Sequence, residues 1–316
     1  MWPLIKLLSG NTHFQFVAFA RLAATLSVIA VLATVVGFFV PGLNLGIDFK
    51  GGSILELNTG AKPTDLGKVR AALSGLHLGD VQVQTFGKPN DAVVRFQTPA
   101  GAKPGVVVSQ VKTAVANAVG PVTFLRTDLV GPEVSDELKI KGAGALLAAI
   151  GLMLLYIWFR FELQFGLGAV VALFHDVTLS FGLILLLRLE FSLNLIAALL
   201  TIIGYSMNDT VVVFDRLREN RRKYKRMPLR ELIDLSVNET LSRTVITGFT
   251  AVLALSGLAM FGGESLRPLS IVLLFGIVIG TYSSIYVASP IILIWGTKKD
   301  DEVAKPIGPQ PARALP

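Results

Sequence analysis

One carboxylate lies in the middle of a stretch that is otherwise apolar. Asp209 interrupts the run from Leu195 to Phe214, which is long enough to cross a bilayer as a single helix. Insertion scales put a carboxylate at the centre of a membrane helix at roughly 2.5 to 3.5 kcal/mol, so an ionisable residue there is by default a candidate for work on ions or protons. The sequence therefore predicts that Asp209 has a partner charge or carries a proton.

Arg243 is the predicted partner of Asp209. The helix that contains Asp209 ends near Asp215, six residues later, and Arg243 lies six residues inside the next span if that span begins near Val237. Because the two helices are antiparallel, both side chains sit on the order of 9 Å below the interface, at 1.5 Å per residue. Protonation of Asp209 would break an ion pair between them, which gives a proton-dependent switch. A static pair that fixes helix register is the alternative.

Other polar side chains in the same region form a candidate polar relay. Four of them lie on the helix with Asp209 and two lie in the preceding span: Thr201, Tyr205, Ser206, Asn208, His175 and Asp176. Thr201, Tyr205 and Asn208 fall largely on one helical face with Asp209. Such a face predicts either a hydrated path or dry interhelical hydrogen bonds. His175 and Asp176 either extend a proton relay or form a structural hydrogen bond.

An enzymatic role has little support in these residues. Asp176 and Asp209 could in principle be the catalytic pair of an intramembrane aspartyl protease, in which paired carboxylates share a proton and activate water. The Gly-x-Gly-Asp run expected around the second aspartate is missing, because Ser206-Met-Asn208 precedes Asp209. The chain has no cysteine and three isolated histidines. The sequence therefore predicts no metal site, no cofactor and no catalytic residue.

The elements that position these residues are membrane helices. The chain is 52% hydrophobic and 16% charged, with a mean hydropathy of +0.63, which is typical of an integral membrane protein. The first apolar window begins too late and runs too long for a cleaved signal peptide, so it is interpreted as a retained anchor. Six transmembrane helices are predicted, at residues 16–40, 140–159, 165–187, 193–214, 237–261 and 269–295.

The distribution of basic residues predicts the orientation. Eight arginines and lysines against two acids lie between Asp215 and Arg230, so the loop 215–236 is predicted to be cytoplasmic. By parity the N-terminus 1–15 and the tail 296–316 are also cytoplasmic, and the Pro-rich tail is predicted to be disordered. We interpret the basic charge as topogenic and as a contact for anionic lipids, with no nucleic acid as partner. Within this loop, residues 228–237 are predicted to form an amphipathic surface helix.

The segment between spans one and two, residues 41–139, is predicted to be the one large domain on the opposite side. Its patterns predict strands at 42–49, 53–57, 81–86, 92–97 and 122–127, helices at 63–74 and 104–119, and a polar link at 128–139. This is a small two-layer α+β domain of the ferredoxin-like, split β-α-β type. It offers no catalytic constellation, which favours a binding or mechanical role.

Four segments of the chain resemble the SecF family, whose members are the smaller subunit of the SecDF accessory complex of bacterial protein export. Residues 204–220 resemble its fourth-span signature, and residues 42–52 resemble the start of its exposed domain. Residues 172–177 and 238–244 resemble its third span and the start of its fifth. The segments follow the family's order. Lys50, where a smaller polar residue is expected, is a minor departure.

The resemblance implies half of a resistance-nodulation-division (RND) type transporter, paired with SecD in a twelve-span unit. It implies a bacterial inner membrane protein with the 41–139 domain in the periplasm. There the complex would use the proton motive force to help unfolded secretory chains leave the SecYEG channel, with YajC and, indirectly, SecA as further partners. The resemblance places Asp209 and Arg243 at positions used in proton movement. The alternative is a non-conducting scaffold that stabilises the translocon and assists membrane protein insertion.

Overall fold

The computed structural model describes residues 12–40, 42–78, 81–99 and 101–295. The predicted disordered tail and residues 1–11 of the predicted N-terminus lie outside this part of the chain. In chain order the elements are α1 (Ala20–Phe39, after a 3-10 turn at Phe16–Phe19), α2 (Ile47–Lys50), β1 (Gly52–Asn58), α3 (Leu66–Ser74), β2 (Val81–Phe86), β3 (Lys88–Phe96), α4 (Pro104–Val119), β4 (Thr123–Val130), α5 (Pro132–Arg160), α6 (Leu163–Leu186), α7 (Leu193–Lys223), α8 (Leu229–Phe261), α9 (Gly263–Ser283), a π-helix (Ser284–Ala288) and α10 (Ser289–Trp295).

Six helical segments in the described part of the chain are long and apolar enough to cross a membrane, with α9, the π-helix and α10 forming the last. This confirms the prediction of a helical chain with six apolar helices. The helices α6 and α7 and the final span are the buried ones, whereas α1, α5 and α8 expose most of their surface in this single chain. The interior of the helical part therefore lies between α6, α7 and α9.

The basic segment 215–236 is mostly helical, which corrects its prediction as a loop. α7 continues to Lys223 and α8 begins at Leu229, so the chain reverses within residues 224–228. The predicted surface helix 228–237 is the first part of α8 and continues directly into the span. Leu232, Ile233 and Val237 are buried in the main apolar core, which holds this part of α8 against the other helices. We refer to this side of the molecule as the basic end.

The predicted α+β domain is present at the other end of the helices. Its elements run β-α-β-β-α-β, and the four strands form an antiparallel sheet in the order β2-β3-β1-β4. The two helices α3 and α4 cover the sheet, and Leu55, Leu57, Val94 and Val111 are among the side chains fully buried between the layers. Local periodicity therefore predicts most of this domain, because each strand and helix has one apolar face.

Two predictions for the domain's boundaries are wrong. Residues 42–49 form an isolated bridge at Leu45 followed by the short helix α2, and not the predicted strand. Residues 128–139 complete β4 and begin α5, and do not form the predicted polar link. α5 is therefore a single helix that starts at the small domain and continues through the membrane-spanning region.

Residues 42–50 dock on the turn between α6 and α7, and this explains why they do not form a strand. Gly46 N–H donates to the carbonyl of Phe191 at 2.8 Å, and Phe191 N–H donates to the carbonyl of Asn44 at 2.7 Å. Asp48 Oδ2 accepts from Leu193 N–H at 2.9 Å. Leu193 is the first residue of α7, so Asp48 places a negative charge at the positive end of that helix dipole.

Two adjacent glycines connect this segment to the sheet. Gly51 and Gly52 have φ angles of 70° and 132°, in the region that side-chain-bearing residues rarely adopt. A Cβ atom on Gly52 would also lie 2.7 Å from the carbonyl oxygen of Phe96 on β3. Both the backbone conformation and the close approach of β3 therefore require glycine at position 52.

We expect Gly52→Ala to destabilise the small domain by about 2 kcal/mol or more, because it adds both strain and a backbone clash. Protease resistance of the small domain in the membrane-embedded full chain, followed through increasing denaturant, measures the change. Gly75→Ala is the matched control, since Gly75 has an ordinary φ of −77° and open space around its Cβ position. Equal resistance of the two variants would contradict this account.

Small residues on α9 allow a close approach to α7. Gly276 and Gly280 stand four residues apart, and a Cβ on Gly276 would collide with Ile202. A Cβ on Gly280 would lie 3.1 Å from the Cα of Ser206. This small-xxx-small arrangement is typical of helices that pack backbone to backbone in membranes. It brings the polar residues that follow Gly280 within hydrogen-bonding reach of α6 and α7.

Candidate functional site: two carboxylates between α6, α7 and α9

The first carboxylate, Asp176, is the centre of a fully buried hydrogen-bonded cluster. Its side chain is 1% exposed. Oδ1 pairs with His175 Nδ1 at 2.8 Å. Oδ2 accepts from the hydroxyl of Ser206 on α7 and, at 2.6 Å, from that of Ser283 on α9. The carboxylate therefore joins three helices and has hydrogen-bond partners on both of its oxygens, as a buried carboxylate requires.

The cluster continues from His175 to α1. His175 Nε2 lies 3.0 Å from Ser27 Oγ, which lies 3.0 Å from the hydroxyl of Tyr282. The Tyr282 hydroxyl donates to the carbonyl of Ala23 at 2.9 Å. Imidazole and hydroxyl groups both donate and accept hydrogen bonds. The chain of contacts from Asp176 to α1 can therefore pass a proton along or clamp four helices together.

The second carboxylate, Asp209, has far fewer partners. It is 3% exposed, and its one hydrogen bond in the described structure is from Thr281 Oγ1 to Oδ2, at 3.4 Å. Arg243 interacts with it electrostatically, but the two do not approach to ion-pair distance in the described residues. The predicted direct ion pair is therefore absent from this structure. The physical reason is that Asp209 faces α9, whereas Arg243 lies on the exposed surface of α8.

Tyr205 completes the surroundings of Asp209. Its hydroxyl is buried and has no hydrogen-bond partner among the described residues. Gly248 on α8 leaves room for it, because a Cβ there would lie 3.8 Å from the Tyr205 hydroxyl and 3.9 Å from Thr281 Oγ1. A tyrosine hydroxyl without a partner and a weakly hydrogen-bonded carboxylate thus meet at the junction of α7, α8 and α9.

The candidate polar relay divides into three groups, one of which is Tyr205 beside Asp209. His175, Asp176 and Ser206 contact one another in the buried cluster, and a relay requires such contacts. Thr201 and Asn208 do not join them, because both face outwards from α7. Thr201 donates to the carbonyl of Ala197 in its own helix at 2.8 Å. The predicted polar face of α7 is therefore narrower than its residue types suggest.

Sequence reasoning missed the contribution of α9. Thr281, Tyr282 and Ser283 supply donors to Asp209, to the α1 contact and to Asp176. The detectable signal is four consecutive hydroxyl residues, 281–284, in the middle of an apolar span. In the part of the chain that the structure describes, no group of three or more histidine, aspartate or glutamate side chains could hold a metal ion.

Comparisons with known sequences and folds agree with this architecture. Residues 110–298 match the SecD/SecF C-terminal family of protein export membrane proteins, and residues 36–61 match the SecD/SecF GG motif. That motif includes Gly51 and Gly52. The chain is 42% identical over 301 residues to a protein translocase subunit SecF from Rickettsia bellii, covering 95% of this chain and 98% of that one. It is 44% identical over 317 residues to the Rhodobacter capsulatus SecF, covering 96% and 95%.

Solved structures of SecDF are similar as well. The crystal structure of SecDF, a translocon-associated membrane protein from Thermus thermophilus, matches with a TM-score of 0.82 and 33% identity. The match covers 94% of this chain and 40% of that one. A SecDF in its super-membrane-facing form matches with a TM-score of 0.65, 33% identity and coverage of 96% and 40%.

Proposed function

The chain belongs to the SecD/SecF family of protein export membrane proteins, and from this premise we propose that it is the SecF subunit of a SecDF protein translocase. It is a multi-pass membrane protein whose partner in that complex is SecD. We propose further that the complex uses the proton motive force to promote late steps of Sec-dependent translocation. No catalytic chemistry is assigned to the chain.

The observation that carries the proton-driven function is the environment of Asp209. The carboxylate is buried among apolar helices, with one long hydrogen bond and an arginine that is near but not paired. An intramembrane carboxylate in such surroundings can alternate between a neutral and a charged form, and each form favours a different position of Arg243. One proton crossing about 100 mV supplies roughly 2.3 kcal/mol, which biases a two-state movement by about fifty-fold.

The contacts of α7 provide a route from Asp209 to the small domain. α7 begins at Leu193, whose backbone N–H is held by Asp48. In the turn before it, Glu190 forms an ion pair of 2.5 Å with Arg95 on β3. A movement of α7 would therefore displace both the segment before β1 and the sheet itself. The sheet order and the β-α-β-β-α-β sequence support a ferredoxin-like domain, and the six spans support half of an RND-type unit.

The same proposal assigns an orientation and partners. The basic end lies in the cytoplasm and the small domain in the periplasm of a bacterial inner membrane, in line with the positive-inside rule. SecYEG is the channel that the complex serves, unfolded secretory chains are its clients, and YajC and, indirectly, SecA are further partners. Anionic lipids contact the basic end. Nucleic acid is not a partner.

The experiment that tests the function measures completion of secretory protein translocation in membrane vesicles, with and without a proton gradient. We expect Arg243→Ala, co-assembled with SecD at wild-type levels, to lose most of the gradient-dependent part, because Asp209 then has no charge to engage. Arg226→Ala is the matched control, since Arg226 is exposed in the turn at the basic end. A variant at position 243 that behaves like this control would argue against the proposal.

A scaffold function is the second candidate. The Asp176 cluster favours it, because a buried carboxylate whose partners are all in place is typical of a static connection between helices. A non-conducting scaffold that assists membrane protein insertion would need the cluster and would tolerate changes at Asp209. The two functions therefore differ in which of the two aspartates activity requires.

A further inference from the structure

A groove opens between α1, α6 and the final span on the basic half of the helical region. Its volume is about 1050 Å³. The walls are mostly apolar and include Val28, Val31, Leu32, Val171, Phe174 and Ile291. Arg21 and Arg230 line its outer end, and Ser27 and His175 line its inner part. The groove therefore combines a long apolar trough with two guanidinium groups on the side of the basic end.

Neither arginine has a side-chain partner in the described structure. Both are exposed, Arg21 in the first turn of α1 and Arg230 in the first turn of α8. Glu231, next to Arg230 on α8, is exposed and does not line the groove. Asp234, one turn further along α8, is engaged elsewhere, because its Oδ1 accepts from Val17 N–H at 2.9 Å. Even with Asp234 counted, the outer end of the groove keeps a positive charge. Two guanidinium groups that line one groove without side-chain partners favour a ligand that carries a phosphate.

The length of the groove matches one half of a bilayer. Arg21 and Leu32 are eleven residues apart on α1, which corresponds to about 16 Å at 1.5 Å per residue. The hydrocarbon core of a bilayer is about 30 Å thick, so one leaflet is about 15 Å deep. The volume is slightly above the roughly 300 to 1,000 Å³ of ordinary small-molecule sites. A trough of this length and size suits acyl chains better than a compact polar ligand.

The attachment of α1 gives such an occupant a structural role. α1 buries only Ala23, Ser27 and Thr34, with Thr34 packed against Gly182 of α6. Its groove-lining residues Ala24, Val28 and Leu32 are exposed, so they lack packing within the chain. An acyl chain lying in the groove would supply that packing and would lie beside Ser27 and His175, which belong to the buried cluster.

We propose that an anionic phospholipid binds in this groove, with its phosphate on Arg21 and Arg230 and an acyl chain between α1 and α6. The binding holds α1 against the bundle from the basic-end leaflet. This site rests on the contact of the basic end with anionic lipids proposed above and gives that contact a defined place, and it does not depend on the proton-driven function. Its occupancy is a property of the assembled membrane protein and can be measured without any translocation assay.

The headgroup is tested with phospholipids that carry a photoreactive diazirine in the tail. The full chain is assembled with SecD in vesicles that contain trace phosphatidylglycerol or phosphatidylethanolamine probe, and labelled residues are mapped by mass spectrometry. We expect labelling around Val28 and Val171 to be at least about fivefold stronger with the anionic probe. The double variant Arg21→Gln/Arg230→Gln should reduce it to the level of the zwitterionic probe, while Arg226→Gln leaves it unchanged.

The tail is tested by filling the groove. Ala24 lines the groove and Leu22 points away from it on the same helix, 60% exposed. Ala24→Trp should abolish labelling at Val171, whereas Leu22→Trp should not, with co-assembly and protease resistance measured to show that both variants fold. Equal labelling by the two probes would show bulk lipid only and overturn the proposal. So would labelling that survives both the arginine and the Ala24 changes, or a groove occupied by a helix of SecD.

Discussion

Replacing Asp209 by asparagine is expected to abolish the proton-gradient-dependent part of translocation while the chain still folds and assembles with SecD. Asparagine has nearly the same shape, and its amide oxygen can still accept from Thr281, so the packing between α7 and α9 is kept. The amide cannot take up or release a proton, so the charge on this helix no longer changes. The measurement is the translocation assay in vesicles, with SecD and the variant at wild-type levels.

Asp215→Asn is the matched control for this prediction. Asp215 lies on the same helix but at the basic end, where it pairs with Arg160 at 2.6 Å and is partly exposed. An ion pair of this kind contributes about 0–1 kcal/mol, so its loss should change little. If Asp209→Asn and Asp215→Asn both behave like wild type, Asp209 is a structural residue and the scaffold function replaces the proton-driven one.

Replacing Asp176 by alanine is expected to have the largest effect on stability, about 3–5 kcal/mol. The change removes the carboxylate that pairs with His175, Ser206 and Ser283, so each of these buried side chains loses its hydrogen bond to it. The three helices that meet there would also lose their common contact. Denaturant-induced loss of protease resistance in the helical region, followed in detergent or nanodiscs, measures the change.

Ser180→Ala serves as the control for the Asp176 variant. Ser180 lies one turn along α6 and is equally buried, but its hydroxyl donates only to the backbone carbonyl of Asp176 at 2.7 Å. Its removal should cost about 1 kcal/mol or less. An Asp176→Ala protein as stable as the Ser180→Ala protein would mean that the cluster does not hold α6, α7 and α9 together.

The sequence predicts elements well wherever a local pattern decides the outcome. An apolar stretch of membrane length must satisfy its own backbone hydrogen bonds, so it forms a helix whatever its neighbours are. The helix at Pro104–Val119 and the strand at Val81–Phe86 have the predicted bounds because each has one apolar face of the expected period. Local patterning also singles out Asp176 and Asp209, because each carboxylate interrupts an apolar run of membrane length.

The partners of those aspartates depend on packing that the sequence does not state. Asp209 and Arg243 are predicted to lie at the same depth in the membrane, and from this a contact between them is predicted. The direction in which each side chain leaves its helix decides whether they touch. Gly276 and Gly280 bring α9 against α7, and as a result Thr281 becomes the neighbour of Asp209. Residues 42–49 show the same limit, since their strand-like alternation is overridden by docking on the turn at Phe191.

The π-helix at Ser284–Ala288 makes the last span sensitive to its own length. One residue turns an α-helix by about 100°, and a π-turn holds one residue more than an α-turn. Tyr282, before this segment, contacts α1. At the end of the segment, Ala288 packs closely against α6, because a Cβ on Gly168 would lie only 2.5 Å from the Ala288 carbonyl oxygen. Deleting a single residue between Tyr282 and Ala288 would rotate one of these residues by about 100° about the helix axis relative to the other, so one of the two contacts would be lost. In evolutionary terms, this span should accept substitutions at its lipid-facing positions far more readily than any insertion or deletion.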